Sequence, residues 1–213
     1  MNGSDPAGPL IAAVRQTLLR GCGVSLRMQT AIPMMDEFAP ALSDGVRWTG
    51  AADFLSDRAR LTLDTGELRF DGRRSYTLMG DGRWQLVKGE VGTWGMFHPR
   101  YPLEAILQAR ERVVVIGEGR FRVELDRDKL SALSDAGVSP DWRPLAEVAL
   151  TDGIVHSVQL DLAGEAEPQA WMVLVFQYEP VDQLSAIDLP ATADTVTAAD
   201  WIREEETHGR LPG

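Results

Sequence analysis

The stretch RARLTLDTGELRFDGRRSYTLMGDGRWQLV, residues 58–87, decides the fold. Apolar and polar side chains alternate along it with a period of two. Ala59, Leu61 and Leu63 stand between Arg58, Arg60 and Thr62, and Leu68 and Phe70 beside Glu67 and Arg69. Tyr76 and Leu78 follow Ser75 and Thr77, and Trp84 and Leu86 follow Arg83 and Gln85. Successive side chains of a strand point to opposite faces, so the pattern is that of strands with one apolar and one wetted face. Asp64-Thr65-Gly66, Asp71-Gly72 and Gly80-Asp81-Gly82 separate the runs. Asp and Gly accept the positive φ angles of tight hairpin turns, and the stretch reads as an antiparallel meander.

Outward from the meander the same signals recur. Residues 10–20 predict a helix, with Leu10, Val14 and Leu18 on one side, and Val24, Leu26 and Met28 then alternate as a strand. Residues 102–110 predict a helix that opens on Pro102, and 113–126 predict a strand. A helix capped by Asp126 is expected over 127–135. Strands are expected over 144–150, 154–162 and 170–178, the first two joined at Asp152-Gly153. Nine or ten strands in one sheet force it to curl. The expected class is α+β, mainly β: a curved antiparallel sheet, or half-barrel, with helices on its concave side. Residues 1–9 are read as a flexible N-terminus, 10–190 as the half-barrel domain, and 191–213 as an acidic tail with a last helix over 197–206.

Composition narrows the function. The 213 residues suffice for one domain with a sizeable core. The net charge of -11 argues against general nucleic-acid binding, which needs a surplus of Lys and Arg. Much of that charge lies beyond Val181, where seven acidic residues face Arg203 and Arg210. Cys22 is the one cysteine, so no intramolecular disulfide forms, and a buried inert thiol is the expectation. The start of the chain lacks a basic region and carries Asp5, Arg15 and Arg20, unlike a secretory signal. No apolar run is long enough to span a membrane. A cytoplasmic location is the expectation.

No motif announces an enzyme. Val113-Val114-Val115-Ile116-Gly117-Glu118-Gly119 imitates a dinucleotide-binding turn, but Arg122 stands where the third glycine belongs and strand alternation follows. His98, His156 and His208 have no metal-ligand spacing and read as surface or structural residues. No nucleophile elbow, zincin motif or phosphate loop occurs, so no catalytic residue, metal or cofactor is assigned. Trp94 lies between Gly92-Thr93 and Gly95, with Met96 and Phe97 beside it. Such a loop serves either as a mobile lid over a cavity mouth or as a plug at the sheet edge.

The order of elements resembles the LolA-like lipid-carrier fold, and within it the actinobacterial LppX and LprG group of lipoproteins. The likeness rests on the helix leading into Gly23-Val24-Ser25-Leu26, on Gly72, Tyr76 and Trp84 in GELRFDGRRSYTLMGDGRW, and on the closing run FQYEPVDQLSAIDLPATA. The resemblance implies a non-enzymatic protein whose concave side encloses an apolar or lipid-like ligand. The residues read as inward are then the cavity candidates: Leu26, Met28, Trp48, Leu61, Leu63, Phe70, Tyr76, Leu78, Trp84, Leu86, Val123 and Leu125, with Trp94, Met96 and Phe97 as the lid. Each also suits plain core packing. The competing expectation is a scaffold or sensor that takes up a protein segment at the same sheet.

Overall fold

The computed structural model describes residues 6–31, 46–63, 66–72, 74–88, 95–133, 142–164, 171–181, 183–191, 195–197 and 203. Helix α1 (Ala7–Thr17) precedes β1 (Gly21–Ala31), β2 (Val46–Asp53), β3 (Arg58–Leu63), β4 (Gly66–Asp71), β5 (Arg74–Leu78) and β6 (Trp84–Lys88). Then come α2 (Tyr101–Gln108), β7 (Arg110–Gly117), β8 (Arg120–Leu125), α3 (Arg127–Leu133), β9 (Trp142–Thr151), β10 (Ile154–Gly164), β11 (Trp171–Pro180) and β12 (Thr195–Thr197). All twelve strands form one sheet, in the order β12-β6-β5-β4-β3-β2-β1-β11-β10-β9-β8-β7. Neighbours run antiparallel except β12, which lies parallel to β6. The sheet is open, with β12 and β7 as its edges.

Two strands exceed the sequence expectation. The stretch 113–126 is a hairpin: Gly119, at a φ of 61°, turns β7 into β8. Residues 195–197 extend the sheet, so Thr197 ends a strand where the helix was expected to begin; Arg203 is helical, and the remainder of the expected acidic helix lies outside the described residues. The N-terminal residues 7–9 already belong to α1. Elsewhere the turn chemistry is as written in the sequence. Asp152 and Gly153 both adopt positive φ, 52° and 75°, the requirement of a two-residue hairpin turn of matching twist. Asp126 caps α3, its Oδ1 accepting from the Asp128 and Lys129 amides at 3.0 and 3.1 Å.

The three helices given above lie on one face, chiefly against β7–β10. Leu10, Ala13, Val14 and Thr17 of α1 are buried there, as are Val155, Val158, Leu160 and Leu162 of β10 and Met172, Leu174, Phe176 and Tyr178 of β11. Each large aliphatic side chain so buried contributes about 1.5–3 kcal/mol. Thr17 fixes the seat of α1. Its Oγ1 donates to the Ala13 carbonyl and accepts the Val155 amide of β10, both at 2.9 Å. Thr17→Val keeps the shape but strands the buried Val155 N–H, with an expected cost of about 1–3 kcal/mol. Thr17→Ser, measured beside it by denaturant titration, retains the acceptor and most of the stability.

Candidate functional site

In an antiparallel ladder, directly paired residues share a face, so the register sorts every candidate. From β11 to β4, one row on the helix side runs Tyr178, Val24, Gly50, Leu61, Leu68, and the row beside it runs Phe176, Leu26, Trp48. Ala52, Ala59 and Phe70 form a third. The rows named here make this inner surface of β1–β4 apolar. Among the described residues, the irregular segment 95–100 covers it over β2–β4. Phe97 lies against Trp48, ring centroids 5.6 Å apart, and His98 meets the edge of Phe70 at 4.8 Å. Trp48, Leu68, Met96 and Phe97 are only half-buried.

The segment is held at its far end by polar contacts. Tyr178 donates its hydroxyl to the Pro99 carbonyl at 2.8 Å, and burial raises its pKa well above the usual phenol value. Arg100 bonds Glu104 of α2 at 2.9 Å and reaches the β2–β3 turn, at the Phe54 carbonyl (3.0 Å) and the Asp57 carboxylate (3.3 Å). Glu104, itself buried, takes a further bond from Gln108 at 2.7 Å. So α2, the β2–β3 turn and the covering segment form one unit at the 98–104 end, while Met96 and Phe97, inside the turn that the His98 amide closes on the Gly95 carbonyl at 2.8 Å, meet the sheet by apolar contact among the described residues.

His98 is buried rather than a surface residue, because its ring fills the space beside Phe70. Its Nδ1 accepts the Arg100 amide at 3.0 Å, which leaves the proton on Nε2. Burial, and then the Arg100 guanidinium, push its pKa down to about 3. An unfolded chain takes up this proton near pH 6.5, so the folded state is penalised below that value. The stability from neutral His98 is full above about pH 6.5 and is lost toward pH 3, at up to about 1.4 kcal/mol per pH unit. His98→Asn keeps an acceptor near Nδ1 and cannot charge. Its stability should fall less steeply than that of the wild type between pH 6.5 and 4 in denaturant titrations; parallel profiles would contradict the assignment.

The sequence candidates divide into three groups. Leu26, Met28, Trp48, Leu61, Leu63 and Phe70 share the inner surface of β1–β4. Val123 and Leu125, buried on β8, lie on the same face five strands from β2, under the helices. Tyr76, Leu78, Trp84 and Leu86 are on the opposite face, a correction with a definite cause. The β4–β5 turn pairs Asp71 with Arg74, so Phe70 opposes Ser75 and Leu68 opposes Thr77. The apolar phase therefore changes sides at β5. There Arg69 stacks over Trp84, 4.6 Å from its centroid, and donates to the Asp188 carbonyl at 2.9 Å. Buried Tyr76 and Ile187 belong to this second apolar patch, which is separate from the main core. The signal was present in sequence: two turn residues make positions of opposite parity share a face, yet residues 68, 70, 76 and 78 have one parity.

Met96 and Phe97 pack against the main core; Trp94 lies outside the described residues. The missed members of the site are Leu68, His98 and Gly50. Cys22 is buried, and that burial pushes its thiol up to about 11, an unreactive value. His156 is exposed in β10, and His208 lies outside the described residues. Among the described residues no three His, Cys, Asp or Glu side chains are grouped to hold a metal ion. No helix among them is long and apolar enough to cross a membrane.

No protein-family model matches the sequence, and no curated protein matches it. Among solved structures, the chain is similar to a LolA superfamily protein from Nitrosomonas europaea at 9% identity, covering 91% of this chain and 99% of that one, with a TM-score of 0.29.

Proposed function

We propose that the protein is a non-enzymatic binder of an apolar, acyl-like ligand, held between the inner face of β2–β4 and the Met96–Phe97 segment. One observation carries the reading: among the described residues the face is covered unevenly. Among the described residues the helices pack chiefly on β7–β10, while Trp48 meets Phe97 and Phe70 meets His98 of a short irregular segment. Apolar contacts can part without breaking a hydrogen bond, whereas the Arg100 network keeps the other end of the segment fixed. An aliphatic chain entering there replaces the Phe97–Trp48 contact with its own burial, about 0.8 kcal/mol per methylene.

Native mass spectrometry of the purified protein, with organic extraction of the same sample, tests this reading. The expected result is a co-purifying lipid mass that disappears on extraction. A clean unliganded mass, unchanged after incubation with fatty acid, would overturn it.

The second reading, a scaffold for a protein segment, rests on the β7 edge. Val115 is 54% exposed and Ile116 37%, on a strand with one neighbour. An extended peptide adds to such an edge by main-chain hydrogen bonds. In this case a specific pulled-down protein accompanies the clean mass.

A further inference from the structure

The face of the sheet opposite the described helices carries a second feature, independent of the apolar site. Arg27 of β1 and Arg47 of β2 stand directly opposite each other in the ladder. Cross-strand neighbours of this kind have Cβ atoms about 4.5–5.5 Å apart, and like charges so placed are destabilising. Both side chains are exposed, and among the described residues neither has an ion pair or hydrogen-bond partner. Three other arginines of this face are neutralised, Arg58 by Asp71 at 3.3 Å, Arg69 by Glu67 at 2.6 Å and Arg122 by Glu147 at 2.8 Å, whereas Arg60 faces the already paired Arg69 across the ladder. An uncompensated pair in a chain of net charge -11 calls for an anion.

The surroundings are those of a site. The two arginines line a groove of about 600 Å³ with Gln29, Gln159, Gln177 and Ser25. Ser25 donates its hydroxyl to Oε1 of Gln177 at 2.9 Å, which leaves the Gln177 amide nitrogen as a donor. Two guanidinium forks and an amide make a donor-rich wall with a charge of two. A carboxylate would neutralise half of that charge. A phosphate monoester carries close to two charges near neutral pH and three acceptor oxygens.

We propose that this groove binds the dianion of a soluble phosphate monoester. Arg27 and Arg47 grip the phosphate from adjacent strands. The groove extends past them to Gln29 and Gln159, whose amides suit a hydroxyl-bearing organic part.

Isotope-edited NMR titration and calorimetry with glycerol 3-phosphate test the proposal on the full chain. Saturable shifts at β1 and β2 are expected below about 10 mM, with glycerol producing none. Arg27→Gln and Arg47→Gln should each weaken binding at least about tenfold. Arg60→Gln, an exposed arginine elsewhere on the face, should change it less than about twofold. Binding should also weaken below about pH 6, as the phosphate takes its second proton. Without ligand, Arg27→Gln should melt no lower than wild type, since removing the charge relieves repulsion, so loss of binding is not loss of fold. Inorganic phosphate and phosphatidylcholine vesicles with and without phosphatidic acid separate the sources of the anion. No saturable binding, equal losses in all three variants, or binding confined to phosphatidic acid vesicles would overturn the proposal.

Discussion

Gly50→Val should lower the melting temperature by about 10 °C or more, the largest effect of any single change considered. A Cβ on Gly50 would lie 1.8 Å from the Arg60 carbonyl oxygen and 2.8 Å from its carbon. Both atoms are main chain, in the strand paired with Gly50 through Leu61. Neither can retreat without opening the β2–β3 ladder beneath the proposed ligand site. Overpacking of this kind costs about 3 kcal/mol or more. Gly50→Ala should show much of the same loss. Gly66→Ala, where an added Cβ meets nothing within 4 Å, serves as the control and should stay within about 0.5 kcal/mol in thermal and urea unfolding.

Arg100→Met is expected to cost about 3 kcal/mol, for a different reason. The change leaves Glu104 in place, 9% exposed, with Gln108 as its remaining side-chain partner among the bonds described above. The Phe54 carbonyl also loses its donor. Breaking one side of a buried pair is costlier than removing both. The double variant Arg100→Met/Glu104→Leu should therefore recover most of the loss, read as a coupling free energy in a double-mutant cycle. Additive losses would show that Arg100 acts through the β2–β3 turn and not through Glu104.

The sequence made the strands legible because alternation is a local property. Leu61 and Phe70 are buried where the period of two put them, and Asp152-Gly153 turns as its residues demand. What alternation cannot give is the relative phase of two strands, since that depends on the number of residues in the turn between them. The pairing of Phe70 with Ser75 is that case, and it moved Tyr76, Leu78, Trp84 and Leu86 to the other face. The cover of the site was less legible still. His98 and Phe97 sit in a segment with no period, and their burial follows from the tertiary path that Arg100 and the Tyr178–Pro99 bond impose. Arg27 and Arg47 are distant in sequence and look like two ordinary wetted-face residues until the β1–β2 register brings them together.

Titration of the wild-type protein with a fluorescent fatty acid, following energy transfer from tryptophan, tests the central claim most directly. Saturable binding at about micromolar concentration is predicted, with the transfer reduced, though not abolished, in Trp48→Phe, since five other tryptophans remain as donors. Leu68→Phe should weaken binding by filling the half-buried surface beside Phe70, while the melting temperature stays within a few degrees. Absence of saturable binding, or binding indifferent to both variants, would contradict the account.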